Sequence, residues 1–389
     1  MARHKPRTKN AISERPAGVL FHALVYGGTG YAEEAWPAAL GVAERGVPVQ
    51  LATFGEDRDT RELLPVRVRE KLEHLQRVRL DLARSVYYQC ATADMWNMEC
   101  AGRCRIGRTM FETDRIPEGW AERCQSMDEV WVPSQFNLET FAGAGVPEKK
   151  LRIVHAGVDA NLFRPGVPPL QIPERRGFNF LSVFDWHPRK GFDVLFHAYL
   201  TEFKPDEDVA LILKVYQVSD PVADLQTKIS YFVEREVGIA LEKCPPIILV
   251  NGFIPQEQMP ALYAAADVFV LPTRGEGYGR PYMEAQCCEL PVLATRWSGQ
   301  LDFLDDENSY LIDIEGVIPA PWDVDMEYYA GHCWAQPSME HLRQLMRHVF
   351  SHREDARQRA ACGRRSVTER FAWSVIQPRW ADEFRRLLA

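Results

Sequence analysis

Two glutamates eight positions apart carry the clearest chemical signal in this chain. Glu276 and Glu284 stand in the stretch Arg274-Gly-Glu-Gly-Tyr-Gly-Arg-Pro-Tyr-Met-Glu284, with Gly277, Gly279 and Pro281 between them. An ionised carboxylate only accepts hydrogen bonds and bridges neighbouring hydroxyls, so the pair suits a polyhydroxylated ligand. The glycines and the helix that follows suit an anion, because free backbone N–H groups and the helix dipole favour negative charge. A second constellation, Arg189-Lys190-Gly191, sets two adjacent cations before a helical stretch and fits a diphosphate. A third, Gly27-Gly28-Thr29-Gly30, follows an apolar run. It lacks the full Gly-x-Gly-x-x-Gly spacing and has no acidic residue at the ribose position after the next strand, which argues against a dinucleotide site. Gly28 and Gly30 serve either a tight turn or the close approach of a phosphate or sugar.

Each constellation lies where a strand pattern gives way to a helix pattern. In the first half, strands are expected over 17–26, 47–53, 85–90, 105–111, 130–132 and 151–154. Helices are expected over 31–44, 66–84 and 136–144, the last capped by Ser134. The proline-rich stretch 164–176 makes the best linker. In the second half, strands are expected over 178–183, 209–216, 246–250, 267–271, 292–295 and 310–312. Phe192, Leu195, Phe196, Tyr199 and Leu200 form a helical stripe, as do Leu342, Leu345, Met346, Val349 and Phe350. Further helices are expected over 256–266, 282–288 and 367–388, with Pro378 kinking the last. Strands alternating with helices define an α/β protein with parallel sheets. Glu112 ends one first-half strand and therefore faces a ligand crevice, unless it caps a helix or pairs with Arg115.

A chain of 389 residues implies two domains. The net charge of −8 argues against a long nucleic-acid footprint. The basic residues Arg3, Lys5, Arg7 and Lys9 precede any apolar run and read as a short flexible tail, not a signal peptide. Basic residues over 66–84 are interrupted by Glu70, Glu73 and Asp81, which favours a solvated face over a membrane or anion patch. The nine cysteines are scattered without metal spacing, and a reducing cytoplasm fits them best. Asp323-Val-Asp325, an Asp-x-Asp, lies outside the unit that carries the glutamates and lends no support to a metal-dependent reading. A nucleotide sugar offers a base, a ribose diol, a diphosphate and a hexose diol, which together match Arg189, Lys190, Glu276, Glu284 and the glycine loops.

The stretch Glu276 to Glu284 resembles the Glu-x7-Glu motif of retaining glycosyltransferases of family 4. Around it, Val250-Asn-Gly-Phe-Ile254 resembles the base-side loop of that family and Lys190-Gly191 its phosphate-side pair. Ser298-Gly-Gln-Leu-Asp302 resembles its Gly-Gly-x-x-Glu segment, Gly30-Tyr-Ala-Glu33 its first helix start, and His155 to Asp159 its turn before the linker. The resemblance implies a GT-B fold, two Rossmann-like doubly wound domains facing across a cleft. Residues 17–165 would form the acceptor-side domain and 166–365 the nucleotide-sugar donor domain. Residues 366–389 would form a helix returning to the first domain, and closure would hinge on the linker.

The resemblance also implies roles. Glu276 would bind hydroxyls of the transferred hexose and Glu284 the ribose. Backbone N–H groups of Gly277, Tyr278 and Gly279 would lie near hexose and phosphates. Lys190 would neutralise the diphosphate, the backbone at Phe253 and Ile254 would read the base, and Gly30 would let the first domain close over the donor. An acceptor hydroxyl would attack the anomeric carbon with retention, the leaving phosphate taking its proton, without a metal or other cofactor. The acceptor stays open: a saccharide, a lipid-linked sugar, a protein or a small molecule, with peripheral membrane contact allowed. Three positions depart from the family. Asp185 stands where an arginine is usual, leaving Arg189 to substitute; Glu112 follows Phe111 where a histidine is usual; Ala156 replaces an asparagine. Two other readings share the frame: a non-catalytic nucleotide-sugar-binding subunit and a sugar-nucleotide epimerase.

Overall fold

Near-continuous apolar strands need cover on both faces, and this chain builds such a layered sheet twice. The computed structural model describes residues 15–27, 29–55, 61–62, 64–100, 102–217, 224–252, 254–321 and 328–389. In the first half, β1 (Val19–Ala23), β2 (Val49–Thr53), β3 (Val86–Cys90), β4 (Cys104–Arg108), β5 (Glu129–Val132) and β6 (Leu151–Ile153) make a parallel sheet ordered β2-β1-β3-β4-β5-β6. In the second, β7 (Phe178–Asp185), β8 (Val209–Tyr216), β9 (Ile247–Leu249), β10 (Val268–Leu271), β11 (Val292–Thr295) and β12 (Tyr310–Ile312) make a parallel sheet ordered β12-β11-β10-β7-β8-β9. The expected pair of doubly wound α/β layers is present.

Both sheets reverse their direction of growth, the first between β1 and β3, the second between β7 and β10. The loops leaving the strands diverge at such a point and open a crevice. The loops after β7 and β10 carry Arg189-Lys190 and Glu276, so topology alone brings these side chains together. Helix α1 (Gly30–Glu44) leaves the first crevice, its N-terminus capped by Thr29, whose Oγ1 accepts from the Ala32 amide at 3.2 Å.

Two helices differ from expectation. The charged helix over 66–84 ends early, as α2 (Val66–Arg77). Val78 turns extended (ψ 143°), and Arg79 Nη1 takes the Gln76 carbonyl at 2.7 Å, while the Leu80 amide goes to Gln50 Oε1 at 3.0 Å. The segment has to lie against β2 before entering β3, and a continued helix would carry it away. The final helix is broken at Ala372, giving α10 (Arg353–Phe371) and α11 (Trp373–Leu388). Ala372 is extended because it bridges Val158: Val158 N donates to Phe371 O at 3.0 Å and Trp373 N to Val158 O at 2.9 Å. Pro378 stays inside α11.

After that break, α11 lies on the first domain. Trp380 Nε1 donates to the His155 carbonyl at 2.8 Å, and Gln377 Nε2 to the Pro37 carbonyl at 2.9 Å. The Trp380 ring, fully buried, meets Trp131 edge-on at 5.7 Å and Tyr88 at 5.9 Å. Beneath it, the Arg108–Glu34 pair (2.8 Å) is buried, with Arg108 stacked under Trp380. Truncating Trp380 to Ala should therefore cost about 3–5 kcal/mol, because it opens a cavity over a buried ion pair. Urea unfolding checks this: a loss below about 1 kcal/mol would mean α11 contributes little to the first domain.

Candidate active site

The loop after β7 is shaped by two residues. His187 caps the short turn Pro188–Lys190, its Nδ1 accepting from the Arg189 amide at 3.1 Å. Burial, with Arg189 and Lys190 nearby, lowers the His187 pKa to about 3, so that the ring stays neutral and keeps its acceptor. Gly191 ends the turn at φ +67°, where a Cβ would sit 1.9 Å from the Pro272 carbonyl oxygen. Only glycine allows the two crevice loops to touch there. They are then sewn together: the Arg189 carbonyl accepts from Arg274 N at 2.6 Å and from Thr273 Oγ1 at 3.1 Å.

Glu276 is the centre of this arrangement. Lys190 Nζ donates to its Oε1 at 2.5 Å, and Arg189 Nη1 lies 3.4 Å from the same oxygen while donating to the Gly275 carbonyl at 2.6 Å. Behind it, the Glu276 amide donates to Ser298 Oγ at 2.9 Å and its carbonyl accepts from Gly299 N at 3.0 Å. Burial pulls the Glu276 pKa upward, but Lys190 and Arg189 outweigh it and hold the carboxyl ionised, below the usual range.

Glu284 sits in α8 (Arg280–Cys287), the helix after the glycine loop. Tyr263 Oη donates to its Oε2 at 2.8 Å, and Arg280 Nη2 lies 3.3 Å from its Oε1. Arg280 also reaches Glu33 of α1 at 2.9 Å, across the cleft. Burial pushes Glu284 up to about 7, against the pull of Arg280. A carboxyl raised above 4.5 favours the folded state at acid pH, and that stability is lost as pH rises through about 7.

The first domain closes directly onto the glycine loop. Ser134 Oγ donates to the Gly277 carbonyl at 2.9 Å and Tyr278 Oη to the Ala156 carbonyl at 3.0 Å. Asp302 accepts from the Gln135 amide at 3.0 Å, at the start of the helix Gln135–Gly143. Glu112 lies 3.5 Å from Arg189 Nη2. Its expected alternative partner, Arg115, instead pairs with Asp114 at 3.0 Å.

Of the residues singled out in the sequence, Arg189, Lys190, Glu276 and Glu112 meet in one cluster, and Glu284 lies in the helix behind the loop. Gly277, Tyr278 and Gly279 are buried, and Gly279 adopts φ +93° to turn into α8. Ile254 is half-buried in the loop after β9, where Lys214 Nζ donates to the Gly252 carbonyl at 2.7 Å. Gly30 is exposed at the start of α1. Gly28, Phe253, Asp323 and Asp325 lie outside the described residues. Among the described residues, no group of three or more His, Cys, Asp or Glu side chains is placed to hold a metal ion. Sequence reasoning passed over Arg280, Glu33 and Tyr263. The i, i+4 spacing of Arg280 and Glu284 was a readable signal; the reach of Glu33 and Tyr263 depends on the fold.

Two doubly wound domains closing on a shared crevice define the GT-B class. Solved structures agree: HepE of Anabaena in complex with UDP and glucose overlays with a TM-score of 0.65 at 15% identity, covering 95% of this chain and all of that one (100%). Sucrose-phosphate synthase from Thermosynechococcus elongatus overlays with a TM-score of 0.69 at 16% identity, covering 95% and 99%. Within that class, residues 175–320 match the family Glycosyl transferases group 1. A D-inositol 3-phosphate glycosyltransferase of Streptosporangium roseum is 26% identical over 250 residues, 63% of this chain and 52% of that one. A GDP-mannose-dependent alpha-(1-6)-phosphatidylinositol monomannoside mannosyltransferase of Mycolicibacterium smegmatis is 30% identical over 202 residues, 48% and 49%. The chain thus spans about half the length of the curated relatives it matches. The likeness to Glycosyl transferases group 1 thus rests on residues 175–320 and on these relatives, and the GT-B likeness on the fold.

A Cβ at Gly275 would lie 2.0 Å from the Glu112 carbonyl oxygen, so this glycine permits the domains to meet. Gly275→Ala should force them apart. Solution scattering should show a larger radius of gyration with unchanged circular dichroism; an unchanged radius would mean the contact at Glu112 is not kept in solution.

Proposed function

We propose that the protein is a retaining glycosyltransferase that moves a hexose from a nucleotide sugar to an acceptor hydroxyl. The observation that carries this reading is the meeting of Lys190, Arg189 and Glu276 at the β7–β10 switch point, with Glu284 in the helix behind. Without donor, Glu276 occupies the two cations. An entering diphosphate competes for Lys190 and Arg189 with more charge than one carboxylate holds. Glu276, released, accepts hydroxyls of the hexose, and Glu284 accepts the ribose diol. As the glycosidic bond breaks, charge grows on the diphosphate, and the fixed cations stabilise it more in the transition state than before. The leaving phosphate takes the acceptor proton, so no protein nucleophile and no metal enters the scheme. Arg189 supplies the charge that Asp185 does not.

The second reading, a subunit that binds donor without turnover, draws on Asp185 at the end of β7. It lies beside Tyr216 in the β7–β8 register, where a cation would serve a diphosphate better. No helix among the described residues is long and apolar enough to cross a membrane, and all nine cysteines are free. A cytoplasmic reaction is part of the proposal.

Incubation with UDP-glucose or GDP-mannose tests it first. Donor at a hundred times its Kd should add about 2.7 kcal/mol to folding stability, read as a raised Tm. Glu276→Ala should lower transfer by at least about a hundredfold. Proton NMR of the product should show the donor's own anomeric configuration; inversion would overturn the mechanism, and binding without product or donor turnover would favour the subunit.

Glu284 gives a pH signature. Ionised above about pH 7, it accepts two ribose hydroxyls; protonated below, it accepts less well. Donor affinity measured by calorimetry should therefore weaken as pH falls from 8 to 6, by up to about tenfold per unit below the pKa. Glu284→Gln should flatten the profile, and an unchanged slope in that variant would assign the titration elsewhere.

A further inference from the structure

Beyond β12 the chain makes an antiparallel hairpin, β13 (Ile314–Pro319) with β14 (Cys333–Pro337). It is rooted in the donor domain beside the glutamate motif. Ala335 N donates to the Arg274 carbonyl at 3.1 Å, and Arg274 Nη2 donates to Gln336 Oε1 at 3.0 Å. Its other end grips the first domain after β4. Asp114 N donates to the Cys333 carbonyl at 3.0 Å, Cys333 N donates to Asp114 Oδ1 at 2.7 Å, and His332 Nδ1 lies 2.7 Å from Thr113 Oγ1. Just before the grip, Tyr329 enters the cleft. Its hydroxyl lies 3.3 Å from Glu112 Oε2, and its ring lies 5.4 Å from Phe111 and 5.6 Å from His187.

We propose that this hairpin is the acceptor-recognition element and that the acceptor is an uncharged sugar, its ring against Tyr329 and its reacting hydroxyl held by Tyr329 Oη and Glu112. The inference rests on the glycosyltransferase reading and adds the acceptor side to it. Three observations converge. Glu112 and Glu276 both touch Arg189, at 3.5 and 3.4 Å, so a group held by Glu112 stands next to the hexose site. Arg189 engages Oε1 of Glu112 and Tyr329 faces Oε2, which fixes the carboxylate as an acceptor at the crevice. The surroundings combine aromatic rings with carboxylates, the pairing that a pyranose calls for: rings pack on its C–H face and carboxylates accept its hydroxyls.

The charge pattern excludes a phosphorylated acceptor. Glu112, Asp114 and Asp94 all meet the hairpin, Asp94 through Tyr328 Oη at 3.1 Å. Arg115 is paired with Asp114, and Arg189 is committed to Glu112, Glu276 and the diphosphate. Among the described residues, a phosphate brought here would face these carboxylates, with the named cations already paired.

The test compares wild type and Tyr329→Phe, which keeps the ring and removes one hydroxyl. Donor affinity is measured by calorimetry with UDP-glucose and GDP-mannose. Transfer is measured to a panel of p-nitrophenyl pyranosides and to inositol 1-phosphate. A pyranoside should serve, and inositol 1-phosphate should react at least a hundredfold more slowly. In Tyr329→Phe the KM for the pyranoside should rise about tenfold, the loss of one hydrogen bond, with donor Kd within twofold of wild type. A rise in donor Kd that matches the rise in acceptor KM would make the hairpin a strut between domains and overturn the proposal. So would preferred transfer to inositol 1-phosphate, or donor turnover that no pyranoside accelerates. A wild-type protein that binds neither nucleotide sugar would instead sink the underlying function, a result read before any acceptor is added.

Discussion

Three charges in one crevice hold this molecule to its shape: Lys190 and Arg189 around Glu276, at the fork between β7 and β10. Burying ions is costly unless geometry and further hydrogen bonds compensate. Much of the surrounding structure supplies that compensation. His187 and Gly191 bend one loop so that both cations face the other. Ser298 and Gly299 hold the backbone of Glu276 from behind. The first domain then covers the cluster through Ser134, Ala156 and Glu112, which excludes water and strengthens every charge inside.

Much of this was legible in the sequence because it follows from local rules. Strand–helix alternation specified the two layered sheets, and the switch point then put Lys190 beside Glu276, although they are 86 positions apart. The glycine loop and the helix after it were likewise readable from Gly277, Gly279 and Pro281. Partnerships between distant side chains were not. Glu112 had a plausible local partner in Arg115, yet Asp114 was nearer to that guanidinium, and Glu112 was left to Arg189 in the other domain. The pairing of Glu33 with Arg280 required knowing how closely α1 approaches α8.

Other misses have backbone causes. The helix over 66–84 kept its charged pattern past Arg77, but β2 had a hydrogen-bond acceptor, Gln50, waiting for Leu80, and tertiary contact overrode propensity. The last helix was expected to run on with a kink at Pro378, but it breaks at Ala372, an ordinary helix former, because an extended residue there completes a bridge to Val158. The hairpin β13–β14 gave no signal, since Ile314-Glu-Gly-Val-Ile-Pro319 alternates poorly and both of its glycine and proline residues read as loop.

The bridge at Ala372 has a mechanical side. The chain passes between its two domains twice, once between β6 and β7 and once at Ala372. The two passages are bonded to each other through Val158. Two strands pinned together behave as a single pivot: they permit swinging about one axis and resist sliding or twisting. A hinge of that kind would return Glu112 to the same place above Arg189 after any opening, so the spacing across the crevice is set by the pivot and not searched for anew.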